Sequence, residues 1–200
     1  MTPPSPHPIR AVICDLDGTL TVPALDFDAM RAEIGITASP ILEALDEMTD
    51  EERRRAFEII ERHENEAAER SELSAGACEL LDFIRQTGVR PAVVTRNSRT
   101  SVEKFTARHR IHFDAVVTRD DAPPKPSPVP LLRALEQLRL TREEAIYVGD
   151  HEIDRLTGEA AGIPTYIVKN HPELKDSGPP EMRVDTLAQI IGILRRANAQ

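Results

Sequence analysis

Five short apolar runs, rich in β-branched and small residues, do most to limit what this chain can fold into. They are Ile9–Cys14, Pro91–Thr95, Ala115–Thr118, Ala145–Val148 and Thr165–Val168. Amphipathic helical patterns separate the later ones, and strands alternating with such patterns indicate βαβ units in a mainly parallel sheet. The helices carry expected ends: Ser74 as a cap with Gly88 past the far end, Ser98 as a second cap, and a Thr-x-x-Glu box from Thr141 to Glu144. Met182–Val184 reads as a last edge strand before a terminal helix over 185–196.

Residues 22–72 contain no strand-like run and read as helices throughout. Asp26 is expected to cap a helix with Phe27, Met30 and Ile34 on one face and Gly35 at its end. Ser39 and Pro40 suit an N-cap and first helical position, with Ile41, Leu42 and Leu45 as the apolar stripe. Thr49 and Glu52 form a capping box before a long helix whose apolar face is Ala56, Phe57, Ile60 and Ala67. This segment has fifteen Asp/Glu against six Arg, which accounts for the whole formal net charge of −9. Solvated outer helix faces explain that acidity.

The expected organisation is a leader over 1–8, an α/β core over 9–21 and 73–200, and a helical insert over 22–72 directly after the first strand. Two hundred residues, 40% of them hydrophobic, suffice for one good core and a small accessory unit. The negative charge argues against nucleic acid or an anionic membrane as partner. No segment approaches the ~20 apolar residues of a membrane span. Two cysteines, Cys14 and Cys78, fit a reducing, cytoplasmic compartment better than a disulfide framework. Cys14 is expected to pack in the core.

The chemistry begins at DLDGTL, Asp15 to Leu20, immediately after the first run. Two carboxylates one residue apart emerge at the sheet's carboxyl edge, where open α/β sheets bind ligands. Leu16 points the other way, and Gly18 allows a turn that a Cβ would resist. Two acids this close need a cation or a shared proton, which suggests a metal site, an acid/base pair, or both. Later strand ends carry three more polar groups. Thr95-Arg96-Asn97 before a helix offers a hydroxyl and backbone N–H groups to an anion. Lys125, one of only four lysines, sits in the stiff loop APPKPSP. GDHEID, Gly149 to Asp154, places Asp150 at the edge and Asp154 a helical turn beyond. An oxygen-only acidic set with no His/Cys cluster favours Mg²⁺ over zinc.

DLDGTL, VVTRN, KPSP and GDHEID, in this order and spacing, resemble the four motifs of the haloacid dehalogenase superfamily of hydrolases. The resemblance spans the chain from Ile9 onward and implies a three-layer, Rossmann-like α/β fold with a small α-helical cap inserted after strand 1. It implies Asp15 as nucleophile and Asp17 as general acid/base. Thr95, Arg96, Asn97 and Lys125 would bind phosphate, and Asp15, Asp17 (through its carbonyl), Asp150 and Asp154 would hold Mg²⁺. Members that break carbon–halogen bonds lack the acid at Asp17, and phosphonate-cleaving members use a cap lysine, absent from residues 22–72.

The implied activity is therefore a Mg²⁺-dependent phosphatase acting on a small phosphomonoester, of the phosphoglycolate-phosphatase-like type. A phosphomutase is the alternative, and a non-catalytic binding protein a more distant one. Thr19 is expected to bond locally, Arg96 to divide between substrate and solvent, and Asn97 to brace its loop. His151 and His63 are read as surface histidines. Arg31, Arg53, Arg54 and Arg55 are the cap cations placed to meet a substrate, though solvated helix faces account for them better. Substrate identity and oligomeric state are not encoded in any motif.

Overall fold

In the computed structural model, which describes residues 8–37, 40–169 and 179–199, the five apolar runs join Arg183–Val184 in one parallel sheet. The strands are β1 (Ala11–Cys14), β2 (Arg90–Val94), β3 (Ala115–Val117), β4 (Ala145–Gly149), β5 (Thr165–Val168) and β6 (Arg183–Val184), in the order β3-β2-β1-β4-β5-β6. Every neighbouring pair is parallel. The described helices are α1 (Phe27–Ile34), α2 (Ile41–Ala44), α3 (Asp50–Arg70), α4 (Ala77–Thr87), α5 (Arg99–His109), α6 (Val129–Leu138), α7 (Glu152–Ala161) and α8 (Ala188–Ala197).

The strands are apolar throughout because helices cover both faces of a parallel sheet. On one face α6 packs on β2 and β3, α7 packs on β4 and β5, and the two helices touch; on the other, α4 packs on β2 and against α8. Leu131, Ala134, Leu135 and Leu138 of α6 share a core with Ile13, Val94, Val117 and Tyr147 of the sheet. The result is the three-layer, Rossmann-like α/β fold. Its strand order reverses between β1 and β4, and the carboxyl ends at such a switch point form the crevice where these sheets bind ligands.

The chain separates into two compact units. The sheet unit comprises the residues up to Pro23, Glu72–Arg96 and those from Ile111 onward; the helical unit comprises Ala24–Ser71 and Asn97–Arg110. Within the helical unit α3 runs along α5 and α1. Its core is Met30, Ile41, Leu45, Ala56 and Ile60.

Local capping explains where these helices begin. Asp26 accepts the Ala29 N–H at 2.9 Å, and α1 ends at Gly35. Thr49 and Glu52 close their box at the start of α3, whose first turn carries Asp50, Glu51 and Glu52 at the positive end of the helix dipole. Arg53 turns back to the carbonyls of Leu45, Asp46 and Met48, so it staples the preceding 3-10 turn. Arg31 pairs with Asp28 and Arg54 with Glu58.

Several sequence expectations need correction. Gly76, not Ser74, caps α4, because the chain turns there in a left-handed conformation tight against Ala188. The Thr141–Glu144 box closes on a 3-10 turn that feeds β4, not on a helix. Phe27 and Phe57 are exposed, at 51% and 37%, so neither belongs to its helix's core face. Pro40 stands before the first residue of α2, and Ser39 lies outside the described residues, as do positions 1–7 of the expected leader. Cys14 is buried as expected, which pushes its thiol up to about 12, whereas Cys78 is exposed; neither is in a disulfide. Among the described residues no helix is long and apolar enough to cross a membrane.

Candidate active site

β1 and β4 are adjacent and in register, Cys14 beside Val148, so the residues leaving their carboxyl ends emerge together. Asp15 follows β1 and Asp150 follows β4; α7 then returns Asp154 to the same place. Each of these three carboxylates offers an oxygen within 4.8 Å of the others, and all three are buried. Lys125 enters from the loop before α6 and places its ammonium 2.8 Å from Asp15 Oδ1 and 2.6 Å from Asp154 Oδ1.

Asp154 is the most heavily engaged of the three. Its Oδ1 accepts from Lys125 Nζ and from the Tyr147 hydroxyl, both at 2.6 Å. Its Oδ2 accepts the backbone N–H groups of Asp150 (3.2 Å) and His151 (3.0 Å). This carboxylate ties the β4–α7 turn to Lys125. Asp15, in contrast, has only Oδ1 hydrogen-bonded among the described residues, which leaves Oδ2 available for chemistry.

The electrostatics follow from crowding. Burial drives the Asp15 carboxyl well above its ordinary value; Lys125 opposes that rise, and Asp154 and Asp150 add to it. Asp150 is raised to about 7 by burial and by the Asp154 charge. For Asp154 burial also works upward, but the charge and hydrogen bonds of Lys125 hold it below the ordinary carboxylate range. Lys125 is disfavoured by burial, yet the charges of Asp15 and Asp154 keep its ammonium form stabilised overall. Lys125 contacts two of these three carboxylates, so ionising all three leaves a deficit of positive charge. The oxygen-only donor set and this deficit both fit a hard divalent cation such as Mg²⁺.

Gly18 shows how tightly the first motif packs. Its φ is +78°, and a Cβ there would lie 2.1 Å from Asp150 Oδ2. Gly18→Ala is expected to destabilise the protein by about 2 kcal/mol or more, from backbone strain plus displacement of a buried carboxylate. Urea denaturation measures this, and an unchanged midpoint would contradict it.

The structure brings together Asp15, Asp150, Asp154 and Lys125 of the residues singled out in sequence. Asp17 is half-buried beside them in the chain and bridges to Thr21. Thr95 is buried just past β2, on the strand next to β1. Arg96 donates to the Lys125 carbonyl at 3.1 Å, so it braces the lysine loop. Asn97 is buried at the start of the helical unit's second segment. The helix start expected to offer free N–H groups to an anion is partly occupied: the Ser98 N–H donates to buried Glu64 (3.0 Å) and the Ser101 N–H to the Ser98 hydroxyl (3.2 Å). His151 is exposed and caps α7 through Nδ1. His63 is not simply solvated; it contacts Glu33 at 3.0 Å.

Two contributions to the site were not anticipated in the sequence. Besides the local bond of its N–H to the Leu16 carbonyl (3.3 Å), Thr19 donates its hydroxyl to Asp150 Oδ1 at 3.1 Å. Tyr147 joins Lys125 and Asp154; the only sequence signal was one phenol in an otherwise aliphatic strand.

The family pattern described as haloacid dehalogenase-like hydrolase matches residues 20–168. An uncharacterised hydrolase of Saccharomyces cerevisiae is 32% identical over 204 residues, covering 96% of this chain and 94% of its own. The pyrophosphatase PpaX of Bacillus cereus is 30% identical over 216 residues, covering 95% and 98%. A crystal structure of a hydrolase from Pseudomonas syringae shares the fold, with a TM-score of 0.76 at 20% identity and coverage of 94% and 98%. The chain belongs to the haloacid dehalogenase-like hydrolases. It is an enzyme of that family, with phosphatase-named relatives.

Proposed function

We propose that the chain is a Mg²⁺-dependent phosphatase that hydrolyses a small soluble phosphomonoester through an aspartyl-phosphate on Asp15. The observation that carries this reading is the buried Asp15 carboxylate, held through one oxygen by Lys125 within a three-carboxylate cluster. The ammonium fixes Oδ1 and leaves Oδ2 to attack phosphorus as the bond to the leaving oxygen breaks. Asp17 donates a proton to that oxygen. It then takes a proton from the water that attacks the aspartyl-phosphate, which releases inorganic phosphate and restores Asp15. Thr95, Asn97 and Lys125 hold phosphoryl oxygens, with Arg96 bracing the lysine loop.

Mg²⁺ would be held by Asp15, Asp150 and the Asp17 carbonyl, with Asp154 ligating directly or through water, and it would supply charge neutralisation for the transferring group. Asp154 supports this set by orienting Lys125 and the Asp150 backbone. Residues 22–72 are assigned as the cap domain that selects the leaving group. Two unpaired cysteines support a reducing, cytoplasmic setting.

The test is phosphate release from phosphoglycolate, sugar phosphates, nucleotides and pyrophosphate, with and without Mg²⁺. Release from at least one compound, abolished by chelation and restored by Mg²⁺, is the expected result. Pyrophosphate is included because PpaX is named a pyrophosphatase. No release from any compound in the presence of Mg²⁺ overturns the reading.

A further inference from the structure

An ammonium has three protons to donate, and Lys125 has three acceptors: Asp15 Oδ1 at 2.8 Å, Asp154 Oδ1 at 2.6 Å and the Tyr147 hydroxyl oxygen at 3.1 Å. The set is complete without a ligand. A phosphoryl oxygen can gain a hydrogen bond from Lys125 only if one of these acceptors gives one up. Two of the three are carboxylates at short range, where charge-assisted bonds are strong. The third is a neutral oxygen and the longest of the contacts. Tyr147 keeps its own proton committed to Asp154 at 2.6 Å, so its lone pairs face the lysine. Its position is rigid, because the ring is fully buried in β4, the strand beside β1.

We propose that Tyr147 is a positioning residue that holds the third Lys125 proton in the resting enzyme and yields it to a phosphoryl oxygen when substrate or phosphate binds. The inference rests on the assignment of Lys125 as a phosphate-binding group. Its consequence is a tuned affinity. The exchange of one acceptor for another makes phosphate binding, and hence product inhibition, weaker than an unengaged ammonium would allow. Tyr147 is not required to touch substrate; it sets how readily Lys125 does.

The chain allows a direct test, since it has no tryptophan and only two tyrosines, Tyr147 and Tyr166. In the Mg²⁺-loaded enzyme, Tyr147→Phe should lower the inhibition constant for inorganic phosphate by about three- to tenfold, the worth of one net hydrogen bond. Calorimetric titration with phosphate should show the same change. Wild-type enzyme that neither hydrolyses a phosphomonoester nor binds phosphate removes the underlying functional reading. Wild-type enzyme that does both, beside a Tyr147→Phe variant with unchanged or weaker phosphate binding, removes the role of Tyr147 alone. If Tyr147→Phe does not fold, Tyr166→Phe leaves Tyr147 as the sole tyrosine chromophore. Saturating phosphate should then shift its near-ultraviolet absorption as the ammonium departs. Phosphate binding seen by calorimetry without any such shift overturns the proposal.

Discussion

Asp15→Asn is expected to lose at least about 10⁴-fold in turnover while keeping its fold, because the variant retains the shape of the side chain but removes the attacking oxygen's charge. The effect on stability should run the other way. Asp15 is buried beside two further carboxylates, and its ionised form is disfavoured there by desolvation first. An amide in its place relieves that crowding and still gives Lys125 an acceptor. The metal-free variant should therefore melt at the same temperature as the wild type or higher, a trade of stability for activity common at reactive sites. Steady-state phosphate release and thermal unfolding without Mg²⁺ measure the two halves. Full activity in Asp15→Asn would sink the aspartyl-phosphate mechanism.

Lys125→Met is expected to damage both properties. Methionine matches the length of the lysine stem but leaves Asp15 and Asp154 facing each other across a buried space with no ammonium between them. Removing one partner of a buried charge pair costs about 3–5 kcal/mol. The loss should be partly recovered by Mg²⁺, which brings positive charge back to the cluster. Turnover should fall by about 10²–10³-fold, the typical effect of deleting one donor to the developing charge. Lys125→Arg is not expected to rescue, since a planar guanidinium cannot meet three converging acceptors as a compact ammonium does. Urea denaturation with and without Mg²⁺, together with kinetics, separates the two effects. Unaltered stability in Lys125→Met would mean that its two carboxylate contacts are not maintained in solution.

Local signals proved sound wherever a residue acts on its own neighbours. Asp26, Thr49 and Ser98 cap the helices they precede, because a capping side chain needs only the three residues that follow it. The strand runs fell within a residue or two of their observed ends, since continuous apolar stretches of this length suit a sheet covered on both faces. Three of the four motifs sit at strand ends, and the parallel sheet gathers those ends along one edge; the lysine motif instead lies well past β3, in the loop that leads into α6.

Two of the misreadings involve partners distant in the chain. Gly76 displaced Ser74 as the cap because Ala188, more than a hundred positions away, leaves no room for a side chain. Glu64 reads as one more acid on a charged helix, yet it is buried against the first turn of α5. Phe27 and Phe57 match the helical period but stay outside the buried core of the helical unit, because periodicity cannot say how wide the neighbouring surface is.

By itself the sequence determined the strand–helix alternation, the identity of the acids and the lysine, and the placement of Asp15 and Asp150 at strand ends, because each depends on spacing along the chain. Only the tertiary structure decided how those groups share their hydrogen bonds. Asp154 spends both oxygens on Lys125, Tyr147 and the turn after β4; Thr19 reaches across to Asp150; Tyr147 completes the lysine's set. These pairings join residues up to 131 positions apart. They depend on the register of β1 against β4, which periodicity does not specify.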